Sequence, residues 1–147
     1  MTTVLTRAVA RLLLAPVLVV AAAVLVKGYA DVGDGFAAGV IAALGILLQY
    51  LAFGRAAVER ALPVRRAAQL AVGGLLLALA VAFVPALAGK APLQHAPLPG
   101  DDVIKLGSLE LIGAVVFDVG VFALVLGMAV ATIGLITVAG DEEGGGP

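Results

Sequence analysis

The chain has 147 residues, 63% of them apolar and 13% charged, with a mean hydropathy of +1.18; soluble domains run nearer about 45–50% apolar and about 25% charged. A fold of this length leaves about 30% of its unfolded surface exposed, so a water-soluble globule is excluded and part of the solvent must be lipid or other protein. A net charge of −1 offers no basic field for nucleic acid, and the absence of Cys excludes disulfides, thiolate metal sites and Cys nucleophiles.

Stretches free of Asp, Glu, Lys and Arg cover residues 12–26, 35–54, 67–89 and 119–140. A helix needs about 20 residues to cross about 30 Å of hydrocarbon. The last three qualify as they stand. The first reaches that length when Arg7, Arg11 and Lys27 lay their stems along the helix and place their charges in the headgroups. Lys27 ends this first run where a signal peptide would carry a small-residue cleavage site, so the run is read as a retained span, with Pro16 near its first turn. The expected fold is an all-α integral membrane protein of four transmembrane helices with short loops, occupying residues 1–140, with a flexible acidic tail at 141–147.

Between the first two spans lies a Gly-rich turn with Asp31 and Asp34. Its letters from Gly33 to Ala38 match a dinucleotide-binding fingerprint, but that fingerprint needs a preceding strand and a βαβ crossover. Asp34 is expected to cap the second helix, and the spacing Gly35, Gly39, Ala43 gives that helix a small-residue face. The next connection carries Arg55, Arg60, Arg65 and Arg66. With Arg7 and Arg11 these make six cations on one side against Lys27, Lys90 and Lys105 on the other. Lys and Arg resist translocation in short loops, so both termini are expected in the cytoplasm.

The connection before the last helix contains Pro92, His95, Pro97, Pro99 and Gly100. His95 is expected to be exposed. Lys105 and Glu110 are placed near the outer end of the last helix as interfacial anchors or a local ion pair, with a cation-attracting vestibule including Asp101 and Asp102 as the alternative.

In the last helix Gly113, Gly120, Gly127 and Gly134 recur every seven residues, a spacing that holds them on one narrow stripe. Glycine costs a helix up to ~1 kcal/mol each in water, so the stripe is read as a seam for a close neighbour. Asp118 points about 140° from Gly113 and about 160° from Gly120. Two placements stay open for it: buried against protein within the membrane, or an anchor at the aqueous boundary. If buried, the helix needs protein on opposite faces, which is hard in an isolated four-helix bundle and natural inside a larger assembly. No Ser-His-Asp constellation, metal-ligand cluster or phosphate loop is present, and neither a cofactor nor an independent enzymatic activity is expected.

The segment Gly33-Asp34-Gly35-Phe36 followed by Gly39 resembles the Gly-rich, Phe-containing motif of the B-type subunits in multisubunit cation/proton antiporters of the Mrp or Mnh type. The run Phe117-Asp118-Val119-Gly120-Val121 with Gly127-Met128 is similar to that family's second signature. Val32 and Asp34 stand where the family usually has proline and glycine. The resemblance implies that Phe36, the loop glycines and Asp118 serve assembly or a cation path, with Asp34, Glu110 and Lys105 as further candidates. It also implies partners, among them large subunits like the proton-pumping arms of respiratory complex I, and H⁺ influx driving Na⁺ efflux. The alternatives are an ion-translocating module of an energy-converting hydrogenase and an assembly scaffold without ion contact.

Overall fold

The computed structural model describes residues 3–28, 33–87, 89, 105–106, 109–110 and 113–143. Its elements are α1 (Val4–Lys27), α2 (Asp34–Phe53), a short α3 (Arg55–Ala61), a 3₁₀ turn (Val64–Arg66), α4 (Ala67–Leu87), β1 (Lys105–Leu106), β2 (Leu109–Glu110) and α5 (Gly113–Glu143). Four helical segments are long and apolar enough to cross a membrane, at Val4–Lys27, Asp34–Phe53, Val64–Leu87 and Gly113–Gly140. This is a multi-pass, all-α membrane protein.

The helices form an open row. α1 packs on α2, α2 on α5 and α5 on α4, while α1 barely touches α5. Small residues set these crossings, because close backbone approach replaces the hydrophobic drive that lipid removes. A Cβ on Gly45 of α2 would stand 2.8 Å from Val17 Cγ1 of α1, and one on Gly39 would stand 2.9 Å from Val125 Cβ of α5. At the α4–α5 crossing two glycines meet back to back. A Cβ on Gly120 would lie 2.9 Å from the Ala78 nitrogen and 3.0 Å from the Gly74 carbonyl oxygen, and one on Gly74 would lie 2.6 Å from the Gly120 carbonyl oxygen.

Several sequence expectations are corrected here. Pro16 is not in a first turn: α1 starts at Val4, with Thr3 as its cap, and places Pro16 in its interior. Arg7 and Arg11 lie within α1, as the span-length reading of the first run required. Asp34 does not cap α2. The cap position is Gly33, with φ 117°, and Asp34 is the first helical residue. Lys105 and Glu110 are register partners in a two-residue antiparallel pairing just ahead of α5, near the end of the helix where they were expected. α5 itself runs three residues past Gly140, through Asp141, Glu142 and Glu143. Asp31, His95, Asp101 and Asp102, with the prolines beside them, lie outside the described residues.

Candidate functional site

The two sides at which the helices end differ in chemistry. At one end Arg11 lies over the Phe53 ring, 5.2 Å from its centroid. Glu59 there accepts a hydrogen bond from Arg55 Nε at 2.6 Å and stands 3.7 Å from Arg65 Nε. Gln49, buried in α2, donates to the Ala10 carbonyl of α1 at 2.8 Å, which ties α1 to α2 just inside this arginine belt.

The opposite end holds Asp118. The residue is 4% exposed, and its Oδ2 accepts a hydrogen bond from the Gly33 backbone N–H at 2.8 Å. Gly28, at the end of α1, comes so near that a Cβ there would stand 3.1 Å from the same oxygen, and a Cβ on Gly35 would collide with the Asp118 carbonyl oxygen. Glycines at the α1–α2 turn thus receive Asp118: Gly28 leaves room for its carboxylate, Gly35 for its backbone, and Gly33 supplies the donor. Gly33 needs its special conformation as well as its size. At φ 117° a side chain is strained by about 1–3 kcal/mol, so Gly33→Ala is expected to lower the thermal midpoint of the purified protein measurably while leaving the α4–α5 seam intact.

The depth of Asp118 follows from α5. Gly134, Leu135 and Val138 share a cavity wall with Arg55, Glu59 and Arg65 of the arginine belt. Asp118 precedes those residues by 16–20 positions, about 24–30 Å along a helix. That is close to the full thickness of a hydrocarbon core of about 30 Å. The carboxylate is thus enclosed by protein, about one hydrocarbon thickness along α5 from the arginine belt. Nearby, Lys27 Nζ donates to Asp34 Oδ2 at 3.1 Å, with the lysine side chain 65% exposed. Such a pair contributes under ~1 kcal/mol, and Asp34→Asn is expected to move the thermal midpoint little.

The remaining candidates fall on different surfaces. Phe36 is 61% exposed at the start of α2. Gly35 and Gly39 seat α2 on α5, and Gly120 and Gly127 seat α4 on α5. Gly134 departs from that seam: a Cβ there would meet only the Tyr50 hydroxyl, at 3.9 Å. Gly113 opens α5. The glycine edge of α5 therefore faces α4, and its carboxylate edge faces the α1–α2 turn. Both are covered by this chain alone, which corrects the expectation that two covered faces call for a larger assembly. An open row with α5 inside it does what a closed bundle could not.

Sequence reasoning missed Gln49, Glu59, Gly28, Gly45 and Gly74. Arg55 and Glu59 stand four apart on one helix, a readable pairing signal; Gly74 beside Gly73 gives no hint of which glycine meets a neighbour. Among the described residues no group of three or more His, Cys, Asp or Glu is placed to hold a metal.

A family model described as "Domain related to MnhB subunit of Na+/H+ antiporter" matches residues 5–131, which takes in α1 to α4 and the Asp118 end of α5. The chain belongs to this family. The B-type subunit of the Na(+)/H(+) antiporter of Alkalihalophilus pseudofirmus is 32% identical over 115 residues, covering 78% of this chain and 77% of that protein. Its counterpart in Bacillus subtilis, of the same name, is 34% identical over 121 residues, covering 80% and 78%. A Rhizobium meliloti protein named as the probable A/B-type subunit of a K(+)/H(+) antiporter is 36% identical over 116 residues, which cover 75% of this chain and 11% of that longer protein. The MnhB resemblance carried by the turn and by the Asp118 segment thus extends over most of the chain, and those two motifs are brought into contact by the Gly33–Asp118 hydrogen bond.

Proposed function

We propose that this chain is a membrane subunit of a multisubunit cation/proton antiporter, in which it secures the assembly and lines the outer mouth of the route by which Na⁺ leaves as H⁺ enters. The reading rests on one observation: in a chain of the MnhB family, a carboxylate is buried at the far side of the helices from the arginine belt. Asp118 and Gln49 are the buried polar side chains of the described residues. A proton route across the core needs a series of ionisable groups, and among the described residues Asp118 is the one that is buried. The main proton channels therefore belong to companion subunits, among them large ones like those of respiratory complex I. With the arginine belt on the cytoplasmic side, the termini are cytoplasmic, the membrane is a prokaryotic cell membrane, and Asp118 faces outward.

Extraction of the native complex in mild detergent tests this reading. The expected result is copurification with large antiporter-type membrane subunits, together with Na⁺-dependent proton movement in vesicles that disappears when this chain is left out of the coexpression. K⁺ is the competing cation to include in the assay, since one relative is named for it. Copurification with hydrogenase or ferredoxin-linked subunits would overturn the antiporter assignment, as would undiminished antiport in the absence of the chain.

A further inference from the structure

Two apolar cavities open at the arginine end, and neither belongs to the Asp118 site. The larger, about 420 Å³, draws on all four spanning helices, with Leu18, Ile46, Leu70 and Leu126 among its walls and Arg66 in its lining. The smaller, about 310 Å³, lies among α1, α2 and α3 and is lined by Phe53, Val58 and Arg11. Leu14 and Leu62 line both cavities, so these two side chains form the partition between adjoining slots. Both arginines are exposed, and among the described residues no carboxylate stands within ion-pair distance of either.

Size and charge together select the occupant. A span-length helix about 10 Å across and about 30 Å long has several times the volume of either slot, so a partner helix does not fit inside. Acyl chains do, because lipid tails are as apolar as the leucines that line the walls. A guanidinium beside each slot matches the phosphate of an anionic headgroup, and basic pockets between transmembrane helices on the cytoplasmic side bind such headgroups. We propose that the paired slots hold acyl chains of one anionic phospholipid, straddling the Leu14–Leu62 partition with its phosphate at the arginine rim. The lipid fills the concave face where α1 and α4, the two ends of the row, do not pack on each other.

The full chain, purified from membranes in mild detergent with its accompanying subunits, tests this by native mass spectrometry and lipid extraction. The wild type is expected to retain one phosphatidylglycerol or cardiolipin per chain. Arg66→Gln removes the charge, and Leu18→Trp fills the larger slot; each is expected to lower retention about tenfold or more. Arg60→Gln is expected to leave it unchanged, because Arg60 lines neither slot and donates to the Ala56 carbonyl. Added phosphatidylglycerol should raise the thermal midpoint of delipidated wild type, and phosphatidylcholine should not. Equal retention in wild type and Arg66→Gln, or equal stabilisation by phosphatidylcholine, overturns the proposal. Arg66 is exposed, so its variant keeps the test decisive if Leu18→Trp does not fold.

Discussion

Leucine in place of Gly74 is expected to prevent α4 from docking on α5, whereas leucine in place of Gly73, one residue earlier, is expected to leave the protein folded. A Cβ on Gly74 would already lie 2.6 Å from the Gly120 carbonyl oxygen and 2.9 Å from the Ala123 carbonyl carbon, while one on Gly73 would meet nothing within 4 Å. The obstruction is backbone, which cannot swing aside as a side chain can. Overpacking a flexible core costs about 1–3 kcal/mol, and a full leucine against two rigid helices lies at or above the top of that range. At Gly73 the same substitution removes a glycine from a helix interior, which favours the helix by up to ~1 kcal/mol, and places the new side chain toward lipid. The comparison reads out as yield of monodisperse protein in detergent and as thermal midpoint. Similar behaviour of the two variants would mean that the α4–α5 seam is wrongly placed.

The second large effect is expected at Asp118, where alanine and asparagine should separate. Alanine removes the acceptor of the Gly33 N–H, and a hydrogen bond to a charged group is worth about 1.5–3 kcal/mol. It also leaves a void beside Gly28, the glycine that crowds the carboxylate. The α1–α2 turn should then detach from α5, seen as accelerated amide exchange at Gly33 and reduced recovery of the chain with its companions. Asparagine keeps the shape and an acceptor oxygen, so the turn should stay docked and Gly33 protected. Loss of protection in both variants would assign the docking to the charge itself.

Much of this arrangement is legible in the sequence, for reasons that particular residues make plain. Gly120 and Gly127 repeat at seven, so their common stripe follows from helix geometry, and the same geometry turns Asp118 to the other edge. Charge counting finds all four spans because lipid penalises each ion it would have to solvate. The identity of the neighbours is another matter. Helices apolar on every side have no polar face to mark the outside, so nothing in α5 says that α4 covers one edge and α2 the other within one chain. The hydrogen bond that closes the site joins residues 85 positions apart. Local reasoning instead gives Asp34 the capping role and leaves Gly33, which takes the cap position, as a mere turn residue. Pro16 is misplaced for a related reason: counted from the charge-free run that opens at Leu12 it falls in a first turn, whereas the helix begins at Val4.

Because asparagine at position 118 is expected to keep the fold and lose only the charge, it gives the most direct test of the functional account. The measurement is Na⁺-driven proton movement in vesicles carrying the assembled complex with Asp118→Asn, alongside the amounts of companion subunits recovered with the chain. The account predicts antiport reduced by an order of magnitude or more with assembly intact. Normal antiport from a normally assembled complex would contradict it and leave the chain a scaffold without ion contact.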